Sequence, residues 1–205
     1  MKKTYFLCGL AAILALSLVL GCAKAPTEKV DAANTALEQA KAAEADRYFA
    51  DDFKAVSDSL NAAQVEIEKQ NSRFALTRKY DHAAALLDYT AAHATSLAEK
   101  TAARKIEVKA EVDQKVVDIN LAISETKALL AKAPKGKEGR QALEEMKSEI
   151  TTAENSLPEI TALLNSGDYL SASDKATAVH AQVTSINDEL KSAIAKVSGK
   201  ARKSS

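Results

Sequence analysis

Apolar residues recur in this chain at alternating steps of three and four over almost its whole length, and that spacing admits one kind of fold. It places a narrow stripe on one side of a helix and leaves the other sides to solvent, the pattern of helices that pack in bundles or coiled coils. The first run is Val30, Ala33, Leu37, Ala40; the second is Phe53, Val56, Leu60, Ala63, Ile67, then Gln70 and Phe74. A third is Tyr80, Ala83, Leu87, Thr90, Ala94, Leu97, and a fourth Val112, Val116, Ile119, Ile123, Thr126, Leu130. The fifth runs Leu143, Met146, Ile150, Ala153, Leu157, Ile160, Leu164, and the sixth Tyr169, Ala172, Ala176, Val179, Val183, Ile186, Leu190. No comparable period-two alternation occurs, so strands are not expected. The expected class is all-α: an elongated antiparallel, coiled-coil-like bundle whose core, with no Trp and 4% aromatic residues, is thin and built from small side chains.

The breaks between runs have local causes. Pro26 and Thr27 suit the start of the first helix, with Thr27 as cap and Glu28 in the first turn. Asp51 or Asp52 suits the cap of the second. Between Phe74 and Tyr80 the phase slips, which calls for a turn or kink. Ala133-Pro134-Lys135-Gly136-Lys137 is the strongest breaker, and Asn165-Ser166-Gly167-Asp168 is another, with Gly167 as terminator and Asp168 as the next cap. Pro158 sits inside the fifth run without disturbing its phase, so a kink in one continuous helix is expected there. From Tyr80 to Ala133 no proline or glycine intervenes. Nothing there forbids joining the third and fourth runs in one helix of about 55 residues, roughly 80 Å at 1.5 Å per residue, but the sequence leaves open whether it is continuous and straight over the charged stretch Lys105 to Asp113, where the stripe thins.

The same stripes suggest an internal repeat. A shift of 90 residues lays Phe53, Val56, Leu60, Ala63, Ile67 and Phe74 onto Leu143, Met146, Ile150, Ala153, Leu157 and Leu164. A shift of 89 lays Tyr80, Ala83, Leu87, Ala94 and Leu97 onto Tyr169, Ala172, Ala176, Val183 and Ile186, and the first run fits the fourth at 86. The expected organisation is two three-helix units, 27–105 and 106–197, joined through the long helix and followed by a flexible basic tail, 198–205.

Ahead of the helices lies a different kind of segment. Lys2 and Lys3 precede an apolar run from Tyr5 to Leu20, which ends Leu18-Val19-Leu20-Gly21-Cys22. The run is shorter than the roughly 20 apolar residues of a spanning helix. Its order of charge, apolar stretch, small residue and cysteine resembles a bacterial lipoprotein signal. That resemblance implies cleavage after residue 21, lipidation of Cys22 and a short tether, 22–26, reaching at most about 20 Å when extended. Two or three acyl chains hold a protein durably where one binds only marginally. Ala23 stands where an aspartate would retain an enteric lipoprotein in the inner membrane, so the expected address is the outer membrane, facing the periplasm.

Composition removes other classes. Cys8 falls in the signal and Cys22 is taken by lipid, which leaves the exported chain no thiol for a disulfide, a metal or a nucleophile. Without Lys2 and Lys3 the exported part holds 26 Lys plus Arg against 28 Asp plus Glu, a net charge of −2. A nucleic-acid binder would show a strongly basic face.

The first unit carries Ala-Pro-Thr soon after Cys22, the alanine-rich Ala32-Ala33-Asn34-Thr35-Ala36-Leu37-Glu38-Gln39-Ala40, and Arg78-Lys79-Tyr80-Asp81-His82-Ala83 at the start of its third run. In these features, over residues 22 to 100, it resembles the bacterial lipoproteins grouped as domain of unknown function 4398. The resemblance implies an exported, helical, envelope-associated protein and brings no catalytic residues with it. The second half is similar in shape to linked three-helix units of the spectrin type, without their tryptophans.

Candidate chemistry is sparse. His82 and His93 lie eleven residues apart and His180 far from both, without the spacing that sets two ligands on one helix face. Asp51-Asp52, Glu144-Glu145 and Asp188-Glu189 are adjacent pairs whose members point apart on a helix. Gly136 and Gly139 follow no strand and read as a solvated loop. Tyr80 and Tyr169 open equivalent helices, each packing on the preceding helix end with its hydroxyl in water. Lys200, Arg202 and Lys203 could bring the tail to anionic lipid or cell-wall polymer, but a solvated tail is the expected state, and Ser204-Ser205 departs from the C-terminal lysine through which some helical lipoproteins join peptidoglycan.

The sequence therefore points to a non-catalytic protein without cofactor or metal, held at the membrane by lipid on Cys22. Its expected role is structural or scaffolding, with an envelope protein, peptidoglycan or a second copy as partner and no nucleic acid. The alternatives are a carrier of a small apolar or lipid ligand in the bundle seam, and a surface-displayed binding protein.

Overall fold

The computed structural model describes residues 24–133 and 139–203, with side chains as far as residue 196. Cys22 and the Pro134–Glu138 breaker lie outside the described residues. The elements are α1 (Thr27–Ala42), the short α2 (Ala45–Tyr48), α3 (Ala50–Asn71), a 3-10 turn (Ala75–Thr77), α4 (Asp81–Lys132), α5 (Arg140–Ser166) and α6 (Tyr169–Lys203). No strand occurs among the described residues, and the chain is an all-α helical bundle. It divides into two compact units whose boundary falls between Ala103 and Arg104, inside α4.

In the first unit α1, α3 and the first part of α4 share a core of small residues. Ala33, Leu60, Ala63 and Leu87 form one buried cluster, flanked by Val30 and Ile67, and Ala36, Ala40, Ala45, Val56, Ala94 and Leu97 form another. Alanine dominates α1 because its buried face meets two helices at once, leaving no room for larger side chains. Leu87, fully buried, contributes about 1.5–3 kcal/mol in removal of apolar surface from water. Ala33 shares a cluster with Leu87 and Ala63, and Ala40 one with Ala94 and Val56, so α1 runs parallel to α4 while α3 runs back between them, and the ion pair from Lys29 to Asp88, 2.5 Å, fits that register. The chain reverses between α1 and α3 without a glycine. Glu44 adopts φ 71°, a left-handed conformation that costs a non-glycine residue about 1–2 kcal/mol.

In the second unit α4 continues beside α5 and α6. Lys115 Nζ reaches Thr177 Oγ1 at 2.9 Å and Asn187 Nδ2 reaches Thr126 Oγ1 at 3.1 Å, so α4 and α6 run parallel, and Lys127 joins α5 through Glu154 at 2.5 Å. Val108, Val112, Ile119, Ile150, Ile160, Val183 and Leu190 are this unit's largest fully buried apolar side chains. Gly167 ends α5 at φ 83°, and the backbone N–H of Asp168 returns to Leu163 O at 3.0 Å. Asp168 caps α6 through Ser171 N–H at 3.4 Å. α5 is continuous through Pro158, with Ala153 and Ile160 both fully buried on one face.

Several local expectations are corrected. Thr27 is the first helical residue rather than the cap, a position held by Pro26 without a side-chain bond. Asp51 and Asp52 lie within the first turn of α3, where they favour the helix dipole but do not cap, Phe49 being the N-cap. The α4 stripe does not thin over Lys105 to Asp113, because Val108 and Val112 are 2% and 1% exposed. α6 extends to Lys203, through residues read from sequence as the beginning of a tail. Phe74, placed by its spacing on the core stripe of α3, lies beyond the end of that helix and is 73% exposed.

Candidate functional site

Phe74 belongs to the connection between α3 and α4, the most elaborately braced loop among the described residues. Helix α3 stops at Asn71 because the chain turns at Ser72, whose N–H still bonds Glu68 O, and passes to extended conformations at Phe74 and Arg78. Gln70, on the buried face of α3 and 4% exposed, is the hub. Its Oε1 accepts the Lys79 backbone N–H at 3.0 Å and Arg73 Nη1 at 3.4 Å, while its Nε2 donates to Glu66 Oε1 at 2.7 Å. Arg78 folds back and donates from Nε to Arg73 O at 3.1 Å and from Nη2 to Asn71 O at 2.9 Å. Thr77 closes the 3-10 turn on Phe74 O through both its N–H and its hydroxyl. Tyr80 is buried as expected, but its hydroxyl is not left to water, since it donates to Asn71 Oδ1 at 2.5 Å.

This bracing holds two large apolar side chains out of the core, Phe74 at 73% and Leu76 at 67% exposure. The stretch Lys69–Lys79 contains four basic residues and no acidic one. Glu66 anchors the network from below, its carboxyl held below the usual glutamate value by the Gln70 hydrogen bond first and by that of Lys69 second, against the opposing effect of desolvation. The loop lies at the end of the first unit where α1 begins, since Val30 packs with Ile67 and Leu86 in one cluster and Lys29 meets Asp88.

A second surface feature is the outer side of α4 in the second unit. Ile106, Val117 and Leu121 are 72%, 51% and 60% exposed. At 100° per residue they fall within about 60° of one another and opposite the buried Val108, Val112, Ile119 and Ile123. An amphipathic helix should carry polar groups there.

The remaining candidates do not converge. His82 and His93 are exposed and His180 is partly so. His93 stacks on Tyr89 with ring centroids 3.7 Å apart and bonds Tyr89 O through Nδ1, beside a small pocket of about 150 Å³ that Asp52 and Lys100 also line. Glu144 pairs with Lys147 and Glu145 accepts from Gln141, so these adjacent carboxylates face different neighbours. Among the described residues no three His, Cys, Asp or Glu side chains are grouped to hold a metal ion. In the second unit a groove of about 590 Å³ lies between the end of α4 and the start of α5, lined by Leu130, Ala131 and Leu143 but also by Lys127, Arg140, Glu144 and Lys147. Such a charged lining does not favour an apolar ligand. Tyr169 is half-buried at the start of α6. Cys22, the lipidation candidate, and Gly136 lie outside the described residues, and no described helix is long and apolar enough to cross a membrane.

The sequence marks a turn between Phe74 and Tyr80, which the structure has, but it does not show that Phe74 belongs to the loop, because Phe74 fits the three-four spacing of α3. The signal that marks it is Arg73 and Arg78-Lys79 bracketing the apolar pair. No protein-family model, no curated protein and no solved structure matches the chain.

Proposed function

We propose that this chain is a lipid-anchored, non-catalytic protein of the bacterial envelope that acts by presenting helical faces to a partner. The observation that carries the proposal is the order of the first residues: Lys2-Lys3, an apolar run, then Gly21-Cys22, followed within five residues by a helix beginning at Thr27. Lipid on Cys22 would hold the first unit close to the bilayer, and Ala23 favours the outer membrane, periplasmic side. The alanine pattern of α1, which resembles that of the domain of unknown function 4398 lipoproteins, supports an exported, envelope-associated protein. The exposed stripe Ile106, Val117, Leu121 supports action by binding, because such a face is stabilised by covering it with another helix. A second copy of this chain is the first partner to test.

The test has two parts. Mass spectrometry of the N-terminal peptide from envelope fractions is expected to show an acylated Cys22, and Cys22→Ala to leave an unprocessed, unacylated precursor; an unmodified Cys22 would refute the anchor. Photo-crosslinking side chains at positions 106 and 121 in intact cells are expected to give one discrete adduct absent from probes at exposed charged sites. No adduct from either position would refute the binding role.

A further inference from the structure

We propose that the α3–α4 loop is a second membrane contact, in which Phe74 and Leu76 enter the interfacial layer of the bilayer and Arg73, Arg78 and Lys79 meet its anionic phosphates. The inference rests on the anchoring reading for its choice of surface, and on the loop's own geometry for the rest. Phe74 and Leu76 are the two most exposed large apolar side chains of the first unit, and they sit two residues apart on one braced turn. Nothing in the fold requires them there. The turn is held by Gln70, Arg78, Thr77 and Tyr80 through bonds that do not involve either side chain.

Three observations select a bilayer as the occupant. Position is the first: the loop shares its end of the unit with the start of α1, and the tether from Cys22 to Thr27 spans at most about 20 Å. Charge is the second, since Lys69, Arg73, Arg78 and Lys79 surround the apolar tip with no acidic residue between them, although Lys69 pairs with Glu66 and the acidic Glu68 and Asp81 flank the stretch. An aromatic and an aliphatic residue framed by cations is the composition of segments that lie in the headgroup region of anionic membranes. Preorganisation is the third. Arg78 is fixed by the carbonyls of Asn71 and Arg73, so the loop needs little ordering on contact. Two apolar side chains are too few to anchor a protein alone, but lipid at Cys22 would make the contact intramolecular, and a weak site then suffices. The consequence is orientation: two points of attachment at one end restrict how the first unit tilts on the surface.

The experiment uses the full chain, processed in cells, purified and reconstituted in vesicles of phosphatidylcholine and phosphatidylglycerol in equal parts. A polarity-sensitive fluorescent amino acid replaces Thr77, whose backbone N–H keeps the turn's bond to Phe74 O when the hydroxyl is lost, or, in a second sample, Asp46 near the turn between α1 and α3. Lipids carrying a nitroxide quencher report contact. The expected result is a blue shift and quenching at position 77 and neither at position 46. Phe74→Ser/Leu76→Ser should reduce the signal at 77 to that at 46. Arg73→Gln/Lys79→Gln should lower the ratio of docked to undocked loop about fivefold per residue at low salt. All four side chains are exposed, so unchanged thermal unfolding of both variants separates a lost contact from a lost fold. Acylated protein whose reporter at 77 stays unquenched would overturn the loop proposal and leave the anchor standing. Quenching at 77 in protein without acyl groups would overturn the anchor and uphold the loop. A blue shift at 77 without quenching by lipid would mean that a protein covers the loop, and would overturn the membrane contact.

Discussion

Gln70 shows how much one side chain decides at the residue scale. From its spacing it reads as a polar residue on a core stripe, and it is indeed buried, but its amide accepts from the Lys79 backbone N–H and the Arg73 guanidinium of the loop and donates to the Glu66 carboxylate, so a buried polar group is satisfied by tying the loop to α3. Glu66 completes the network, and its lowered pKa gives it a pH signature. A carboxyl whose folded pKa lies below its unfolded value stabilises the fold fully above the unfolded value, and that contribution disappears as the pH falls through the folded one. Unfolding of the full chain followed against pH should therefore show a loss of stability below the ordinary glutamate range, and Glu66→Gln should flatten that part of the profile. An unchanged slope in the variant would mean that Glu66 does not hold the loop. Glu44 teaches a different lesson: nothing in Ala43-Glu44-Ala45 announces a left-handed residue, because the helices on either side impose that conformation on a residue that does not prefer it.

At the scale of elements, α4 carries the clearest tension between pattern and packing. Thr90, Thr101 and Thr126 lie on its buried face, each returning its hydroxyl to the carbonyl four residues earlier, which satisfies the group at little cost to the helix. Thr126 does more, since it accepts Asn187 Nδ2 from α6 inside the second unit's core. Thr126→Val should cost about 1–3 kcal/mol by leaving the Asn187 amide without that acceptor. Thr126→Val with Asn187→Leu should recover most of the loss, and denaturant unfolding of the three variants measures the coupling. Additive losses would show that the bond does not join the helices. The outer face of the same helix carries no mark in the sequence. Ile106, Val117 and Leu121 disappear among the apolar residues of a long helix until burial shows which face is already occupied.

For the molecule as a whole, the two units use different side chains for the same purpose. Under the 89-residue shift, Ala83, Leu87, Ala94 and Leu97 fall on Ala172, Ala176, Val183 and Ile186, and all eight are buried. Leu87→Ala in the first unit and Ile150→Ala in the second should each cost about 2–5 kcal/mol, and if the units unfold independently their combined loss should equal the sum within about 0.5 kcal/mol. A larger discrepancy in denaturant unfolding would reveal coupling through α4. What the sequence alone determined is the helical class and the main breaks at Phe74–Tyr80 and Gly167, because spacing, glycine and proline act over a few residues and their consequences are local; that α4 runs unbroken through its charged stretch came from the structure. Only the tertiary structure decided which member of a regular stripe stays in the core. Phe74 and Ile67 occupy one stripe by spacing, yet Ile67 packs against the Ala33, Leu60, Ala63 and Leu87 cluster while Phe74 stands in solvent. The helix must end where its neighbours end, and a residue beyond that point has no partner to bury it.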